Sequence, residues 1–229
     1  MLYSVRNCVV DEADWEFMHL LEKNEVKNAI KLRALNSEVR DLNELGLKEL
    51  KTDLLQFSRV ITFKDKRIDK FVLDGILNNL REPEVFQCKI GARVMVTKNL
   101  KKKGLYNGDL ATVISTEGSK SIMLHIDRLN RFVWVEKSIY NYELVHKGSK
   151  ITALSYEAFP LILGYALTIH KSQGLTLDKV DIGCMSIFDP NMFYVALSRA
   201  KHSSGVQLHD VDTLAFHKNR KLKTKWYTK

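Results

Sequence analysis

The chain of 229 residues reads as an α/β protein in which a mostly parallel sheet flanked by helices is interrupted by a small β-barrel. Three observations predict this. Apolar runs of strand length alternate with helical patterns towards both ends of the chain, as they do when crossover helices cover the two faces of a parallel sheet. From Cys88 the apolar period changes from helical to alternating, and five short strands follow one another with turn residues between them. Further on, the apolar run from Leu161 to Leu167 breaks into the polar cluster Thr168, His170, Lys171, Ser172, Gln173 and Gly174. A strand that ends in hydroxyls, an imidazole, an ammonium and a glycine delivers the groups that hold phosphates.

Composition bounds the reading. Hydrophobic residues at 45% and charged residues at 28% are ordinary globular values, and the length suits one sizeable core with a small second domain. A net charge of +9 and a pI near 9.3 favour a polyanionic partner, since clustered Lys and Arg release counterions on meeting phosphates. Cys8, Cys88 and Cys184 lie far apart, odd in number and without a C-x-x-C, so neither a disulfide framework nor a zinc site is expected and the metal-ligand set is empty. No stretch approaches the roughly 18 consecutive apolar residues of a membrane span, and no signal-type apolar core follows Met1. The expectation is a soluble intracellular protein with no membrane partner.

In chain order, Cys8-Val-Val-Asp-Glu-Ala-Asp14 reads out of context like a strand ending in the Asp-Glu of an NTPase. No phosphate loop precedes it, and Trp15 to Leu21 continues as an amphipathic helix with Asp11 or Asp14 as N-cap, so the capping reading is preferred. Ile30, Leu32, Ala34 and Leu35 form a strand that runs into a helix capped by Asn36 or Ser37, with Val39, Leu42, Leu45 and Leu50 on its buried side. Residues 64–67 read as a solvated turn and 71–80 as a short helix ended by Pro83. The five barrel strands are placed at 90–97, 109–114, 121–126, 131–135 and 140–145, with turn signals at Asn107-Gly108, Glu117-Gly118 and Leu129-Asn130. Between the first two strands, Lys98, Lys101, Lys102 and Lys103 crowd one loop. Gly118-Ser-Lys-Ser121 imitates the end of a phosphate loop but lacks the upstream glycine and falls in a hairpin, so it is a turn. After the polar cluster come a buried strand at 179–183, a helix at 191–201 with Arg199 set among apolar residues, a last strand at 205–209, and a basic tail at 217–229 with two aromatics. The tail reads as a frayed terminus or as a nucleic-acid contact.

The stretches T-I-H-K-S-Q-G-L-T (168–176) and V-A-L-S-R-A (195–200) resemble motifs V and VI of superfamily 1 DNA helicases, in the version of the Pif-type, RecD-type and Dda-type five-prime-to-three-prime branch. The match is gapless across each motif, in the family's order, and the wider resemblance extends over essentially the whole chain as the C-terminal half of such a helicase. Under it, residues 1–27 are the linker arm and helix, 28–87 the first part of a RecA-like second motor domain with motif IV, and 88–152 an SH3-like insertion. Residues 153–216 complete the motor domain with motifs V and VI, and 217–229 form the tail.

The resemblance also implies roles. Arg199 is the catalytic arginine finger and, with Gln173 and Gly174, faces the nucleotide phosphates. Thr168, His170, Lys171 and Ser172, joined by Lys98 and Asn99 on the insertion, face the DNA backbone. An arginine suits the finger because its planar fork is always charged and spans two phosphate oxygens; the structural alternative is an Arg199 neutralised by Asp181, and for His170 a satisfied structural histidine. The implied cofactors are ATP and Mg2+, held only together with an N-terminal motor half in the same or a separate chain, and the implied partner is single-stranded DNA bound without regard to sequence. No G-x-x-x-x-G-K-[ST] occurs in the chain, so no ATP hydrolysis is expected of it alone. The competing reading is a non-catalytic nucleic-acid-binding or partner-docking module that keeps the fold.

Overall fold

Local pattern becomes structure first in the segment Ile30–Arg33, where buried and half-buried residues alternate and the strand takes an inner place in a four-stranded sheet. The computed structural model describes residues 1–63, 74–77, 80, 82–146 and 149–214. In chain order its helices are α1 (Leu2–Arg6), α2 (Glu12–Glu22), α3 (Asn36–Lys48) and α4 (Pro190–Leu197), with a further helical turn at 74–77. The strands are β1 (Ile30–Arg33), β2 (Leu55–Ser58), β3 (Val60–Phe63), β4 (Val85–Cys88), β5 (Arg93–Val96), β6 (Leu110–Glu117) and β7 (Ser121–Ile126), then β8 (Arg131–Glu136), β9 (Ser138–His146), β10 (Ser149–Ala158), β11 (Leu161–Leu163), β12 (Ala166–Thr168), β13 (Val180–Gly183) and β14 (Val206–His209). Two units are formed, one from residues 1–46 together with 164 onward, the other from 47–163.

The first unit is the expected parallel sheet, in the order β12-β1-β13-β14, each neighbouring pair parallel. Its strands are short, and one face is apolar and closed, with Ile30, Leu32, Val180, Ile182 and Leu208 at most 1% exposed, while the alternate positions of β1, β13 and β14 carry polar or charged residues that are half-buried. Side chains close the two free edges. On β12, the Asn43 carboxamide of α3 imitates a neighbouring strand: Oδ1 accepts the N–H groups of Tyr165 (3.2 Å) and Ala166 (3.0 Å), and Nδ2 donates to the Ala166 carbonyl (3.1 Å). Beside β14, Asn24 Nδ2 donates to the Val206 carbonyl at 2.8 Å and Gln207 Oε1 accepts the N–H of Val26 at 3.1 Å. Edge groups left bare would invite pairing with another chain.

Residues 1–27 therefore fold as part of this unit. The Asp-Glu stretch forms no strand: Cys8 takes a left-handed φ of 54°, and Asp11 caps α2 by accepting the Asp14 N–H at 2.8 Å. Trp15, Met18 and Leu21 then bury one face of α2, and the helix packs on β14. In α3 the expectation fails at Leu45, which is 51% exposed. Glu38, rather than a residue at 36 or 37, meets the chain before the helix, accepting the Leu35 N–H at 3.3 Å.

The second unit runs from 47 to 163, a wider span than the 88–152 expected for the insertion. The first four predicted barrel strands appear as β5 to β8 in an antiparallel sheet of order β11-β5-β6-β7-β8. The fifth, β9, instead turns away at Lys137 and pairs with the long β10, which also pairs with β3; β11 takes the fifth place. The cause is a separate apolar cluster: Leu154, Tyr156 and Ala158 of β10 pack with Ile76, Ile61, Tyr140, Tyr142 and Leu144, so β9 and β10 gain more by covering each other than by extending the first sheet. For the same reason the apolar run 161–167 is divided between the units, β11 to one and β12 to the other. The predicted turn at 64–67, half of the residues of the helix at 71–80 and the tail at 217–229 lie outside the described residues.

The loop after β5 is held by Asp109, 8% exposed, which accepts Arg128 Nε at 2.7 Å, Arg128 Nη2 at 2.8 Å and the Tyr106 N–H at 2.8 Å. Burial opposes its charge, but these donors outweigh it and hold the carboxyl below the ordinary 3.8. A depressed value makes the pair stabilising above pH 3.8, with the contribution lost as pH falls through the lower folded-state value. Arg128→Ala should accordingly lower stability by about 1–3 kcal/mol at neutral pH and flatten the acid limb of stability against pH, measured by urea unfolding from pH 7 to 2. Asn43→Ala should destabilise the first unit by a similar amount of about 1–3 kcal/mol, because two edge N–H groups lose their acceptor; an unchanged urea midpoint would refute the edge-closing role.

Candidate nucleotide and nucleic-acid site

β12 ends at Thr168, and the chain leaves the sheet through a series of tight turns. The Ile169 N–H donates to the Arg33 carbonyl at 2.9 Å, extending the ladder with β1 by one bond. Ser172 N donates to the carbonyls of Thr168 (3.1 Å) and Ile169 (3.2 Å), Gln173 N to His170 O (3.2 Å) and Leu175 N to Ser172 O (3.0 Å). Two side chains of the cluster serve the turn itself: Thr168 Oγ1 accepts the Lys171 N–H at 3.3 Å, and Ser172 Oγ donates to the Ile169 carbonyl at 2.7 Å. Thr168 is 5% exposed and Ser172 not at all. Both were expected to face the DNA backbone. Their hydroxyls lie inside and their hydrogen bonds are local, so they shape the turn that others use.

What the turn presents outward is His170, Lys171, Gln173 and Gly174, all exposed. Gly174 has φ +77°, and a Cβ built there meets nothing within 4 Å; its glycine is required by backbone conformation and leaves the backbone open to an approaching group. Among the described residues the side chains of His170 and Lys171 form no hydrogen bond or ion pair, which sets aside the satisfied structural histidine.

The second stretch closes onto this turn. Asp189 caps α4 by accepting the Asn191 N–H at 2.7 Å, with Pro190 at the first helical position, and Met192, Phe193, Ala196 and Leu197 bury the inner face. The helix ends at Leu197, short of the 201 expected, and Arg199 therefore lies beyond it rather than on its apolar face. The chain is diverted there because Leu177 and Ala200 form a parallel bridge: the Leu177 N–H donates to the Arg199 carbonyl at 2.8 Å and the Lys201 N–H to the Leu177 carbonyl at 3.1 Å. The guanidinium is then laid against the turn, Nε donating to Val195 O (3.0 Å), Nη1 to Leu175 O (3.0 Å) and Nη2 to Ser198 Oγ (2.9 Å). All three acceptors are neutral. Arginine carries five N–H donors, so two remain, on a side chain that is only half-buried.

Asp181 does not neutralise Arg199. It is engaged by Arg33 Nη1 at 3.0 Å and faces His209 Nε2 at 3.3 Å, and Arg33 also donates to the carbonyls of Leu32 and Asp181. Arg33 and His209, the last residues of β1 and β14, thus lie at the carboxyl end of parallel strands, where open α/β sheets bind ligands, and Asp181 meets them from the second position of β13. Sequence reasoning passed over Arg33; a cation ending a buried strand, opposite the strand-end Gly183, was the available signal.

On the insertion, Lys98 and Asn99 are occupied. Lys98 Nζ donates to the Ile139 carbonyl at 3.0 Å and sits 4.3 Å from the centroid of the Tyr140 ring, while Asn99 Oδ1 accepts the Asn107 N–H at 2.8 Å. Both hold the loop, and its exposed lysines are Lys101 and Lys102.

Comparison with known proteins places this geometry. No family model matches the chain. The ATP-dependent DNA helicase Pif1 of Campylobacter jejuni is 30% identical over 191 residues, covering 81% of this chain and 43% of that protein. Among solved structures, Pif1 of Bacteroides sp in complex with ADP-AlF4 superposes with a TM-score of 0.75 at 25% identity, over 98% of this chain and 53% of that one. The Bacteroides Pif1 bound to ssDNA does so with a TM-score of 0.64 at 27% identity, over 90% of this chain and 47% of that one. The chain spans about half the length of these relatives. Its parallel sheet and linked motifs V and VI, with this likeness over nearly its whole length, place it in the family of Pif1-type superfamily 1 helicases, as the counterpart of their C-terminal half.

Proposed function

We propose that the chain is the second motor half of an ATP-dependent, five-prime-to-three-prime DNA helicase, working with a phosphate-loop half carried on the same or a separate chain. The observation that carries this reading is the bridge between Leu177 and Ala200, which holds Arg199 against the turn that presents His170, Lys171, Gln173 and Gly174. One rigid piece then offers a cation to a nucleotide and a row of polar groups to a phosphate backbone.

The donor set fits a triphosphate approached from one side only. Arg199 has two uncommitted N–H groups and no acidic partner among the described residues, Gln173 is an exposed amide, and Gly174 leaves its backbone accessible. ATP supplies the phosphoryl group whose transfer to water drives the motor, and Mg2+ belongs to the half that carries the phosphate loop. Arg199 neutralises charge that develops on the outer phosphate as it leaves. Because its Nη1 is also tied to the Leu175 carbonyl, a shift of Arg199 on meeting the nucleotide is passed to the turn and so to His170 and Lys171, which grip single-stranded DNA through its backbone. This is a two-state element biased by nucleotide. Lys98, whose ammonium is already placed on Ile139 and Tyr140, contributes through the loop it holds.

The test is reconstitution. The purified chain should show no DNA-stimulated ATP hydrolysis, and mixing it with a phosphate-loop half should give unwinding. In the mixture Arg199→Ala should lower turnover by about a thousandfold with single-stranded DNA affinity kept. Arg199→Lys, which retains the charge without the fork, should recover little of it. Unwinding that survives Arg199→Ala, or a mixture with no activity that still binds DNA, would leave the non-catalytic module as the function.

A further inference from the structure

Arg199 is held through three nitrogens, and only one of its three acceptors belongs to a side chain. Nε meets the Val195 carbonyl and Nη1 the Leu175 carbonyl, each at 3.0 Å, and both are main-chain oxygens whose place the fold decides. Nη2 donates to Ser198 Oγ at 2.9 Å. Each bond uses one of the five N–H groups, so one remains on Nη1 and one on Nη2, the two ends of the planar fork.

Ser198 accepts because its own proton is already committed. It stands at the C-cap of α4 with helical φ −69° and ψ −4°, and Oγ donates to the Val195 carbonyl at 2.9 Å, one turn back. A hydroxyl has one donor and two lone pairs; with the donor spent on the helix, the lone pairs are what it offers the guanidinium. The Val195 carbonyl, the Ser198 hydroxyl and the Arg199 side chain thus form a closed triangle of hydrogen bonds. It sits at the carboxyl end of α4, where the helix is negative and a cation is welcome. Two points of attachment leave a planar group free to rock about the line between them; the third fixes the plane.

We infer that Ser198 is a positioning residue for Arg199, setting the plane of the guanidinium so that the remaining N–H groups of Nη1 and Nη2 face an incoming phosphate together. This role rests on the reading of Arg199 as the finger and names the side chain that aims it. A serine that only closed the helix end would need its bond to Val195 alone, and would be indifferent to where the guanidinium lies.

The test uses the full chain mixed with a phosphate-loop half. Ser198→Ala should lower kcat for ATP hydrolysis by about ten- to a hundredfold, the scale on which a misplaced catalytic group is felt. KM for ATP should stay unchanged, because a preoriented cation acts on the transition state more than on bound substrate. Ser198→Thr keeps Oγ and should restore kcat; Ser198→Cys keeps the bulk but offers only a weak acceptor and should follow alanine. In an Arg199→Ala background, Ser198→Ala should cost nothing further of the residual turnover, since it acts through Arg199. The chain alone supplies a second readout: nuclear spin relaxation of the Arg199 Nε–H should report an ordered group in the wild type and a mobile one in Ser198→Ala and Ser198→Cys. Wild-type kcat in Ser198→Ala, a loss confined to KM, an equal loss in the Arg199→Ala background, or an Nε–H no more mobile in either variant overturns the role of Ser198. The motor reading survives any of these if Arg199→Ala still abolishes turnover, whereas turnover untouched by Arg199→Ala overturns both.

Discussion

Two backbone hydrogen bonds, Leu177 to Arg199 at 2.8 Å and Lys201 to Leu177 at 3.1 Å, govern what this site can do. They join two segments that leave the parallel sheet from different strands, β12 and β13, and they make the exit turn of one the seat of the other's arginine. Without them Arg199 would be a long cation on a short segment after a helix, free to sample many rotamers at an entropy cost on binding. With them, and with its Nη1 on the Leu175 carbonyl, the fork is oriented before any ligand arrives. On the proposed reading of Arg199 as a finger, preorganisation of this kind is where electrostatic catalysis finds most of its advantage.

The bridge is only as firm as the sheet below it, and that sheet is small. Four strands of three or four residues each have two long exposed edges relative to their area. The carboxamides of Asn43 on one side and Asn24 on the other satisfy edge groups that strands would otherwise pair, and Gln207 ties the segment at Val26 to the β14 edge. Asn43 also grips the residues immediately before β12, so the entry to the polar turn is fixed from the same side.

The parts of the molecule legible from sequence were those coded by contiguous residues. The parallel strands, α2 with its Asp11 cap and β5 to β8 all follow local patterns of period 2 or 3.6. The errors came where partners far apart in sequence decided. β9 carries the alternation of a fifth barrel strand, yet Tyr140, Tyr142 and Leu144 found a better apolar surface on β10. The apolar run 161–167 reads as one strand, yet Leu161 pairs with Val96 and Leu163 with Val94, while Ala166 and Leu167 pair with β1. Arg199 was expected on a helix because the apolar spacing continues to Ala200, whereas a bridge to Leu177 ends the helix at 197.

The polar turn shows why a cluster of suitable residues is not yet a site. Its bonds from Ser172 to Ile169, Gln173 to His170 and Leu175 to Ser172 each span three residues, so the chain rotates by about a third of a turn per residue and only part of the cluster can face out. Positions 168, 169, 172 and 175 fall inside and 170, 171, 173 and 174 outside. A buried polar group needs a partner close at hand, and the hydroxyls of Thr168 and Ser172 are short enough to find one on the turn's own backbone. An imidazole, an ammonium or a longer amide at 172 would have to reach past that backbone, so the long side chains of His170, Lys171 and Gln173 stand at outward positions. The division of labour within T-I-H-K-S-Q-G is thus set by side-chain length against a three-residue repeat: short hydroxyls build the turn, and what they hold outward is the chemistry.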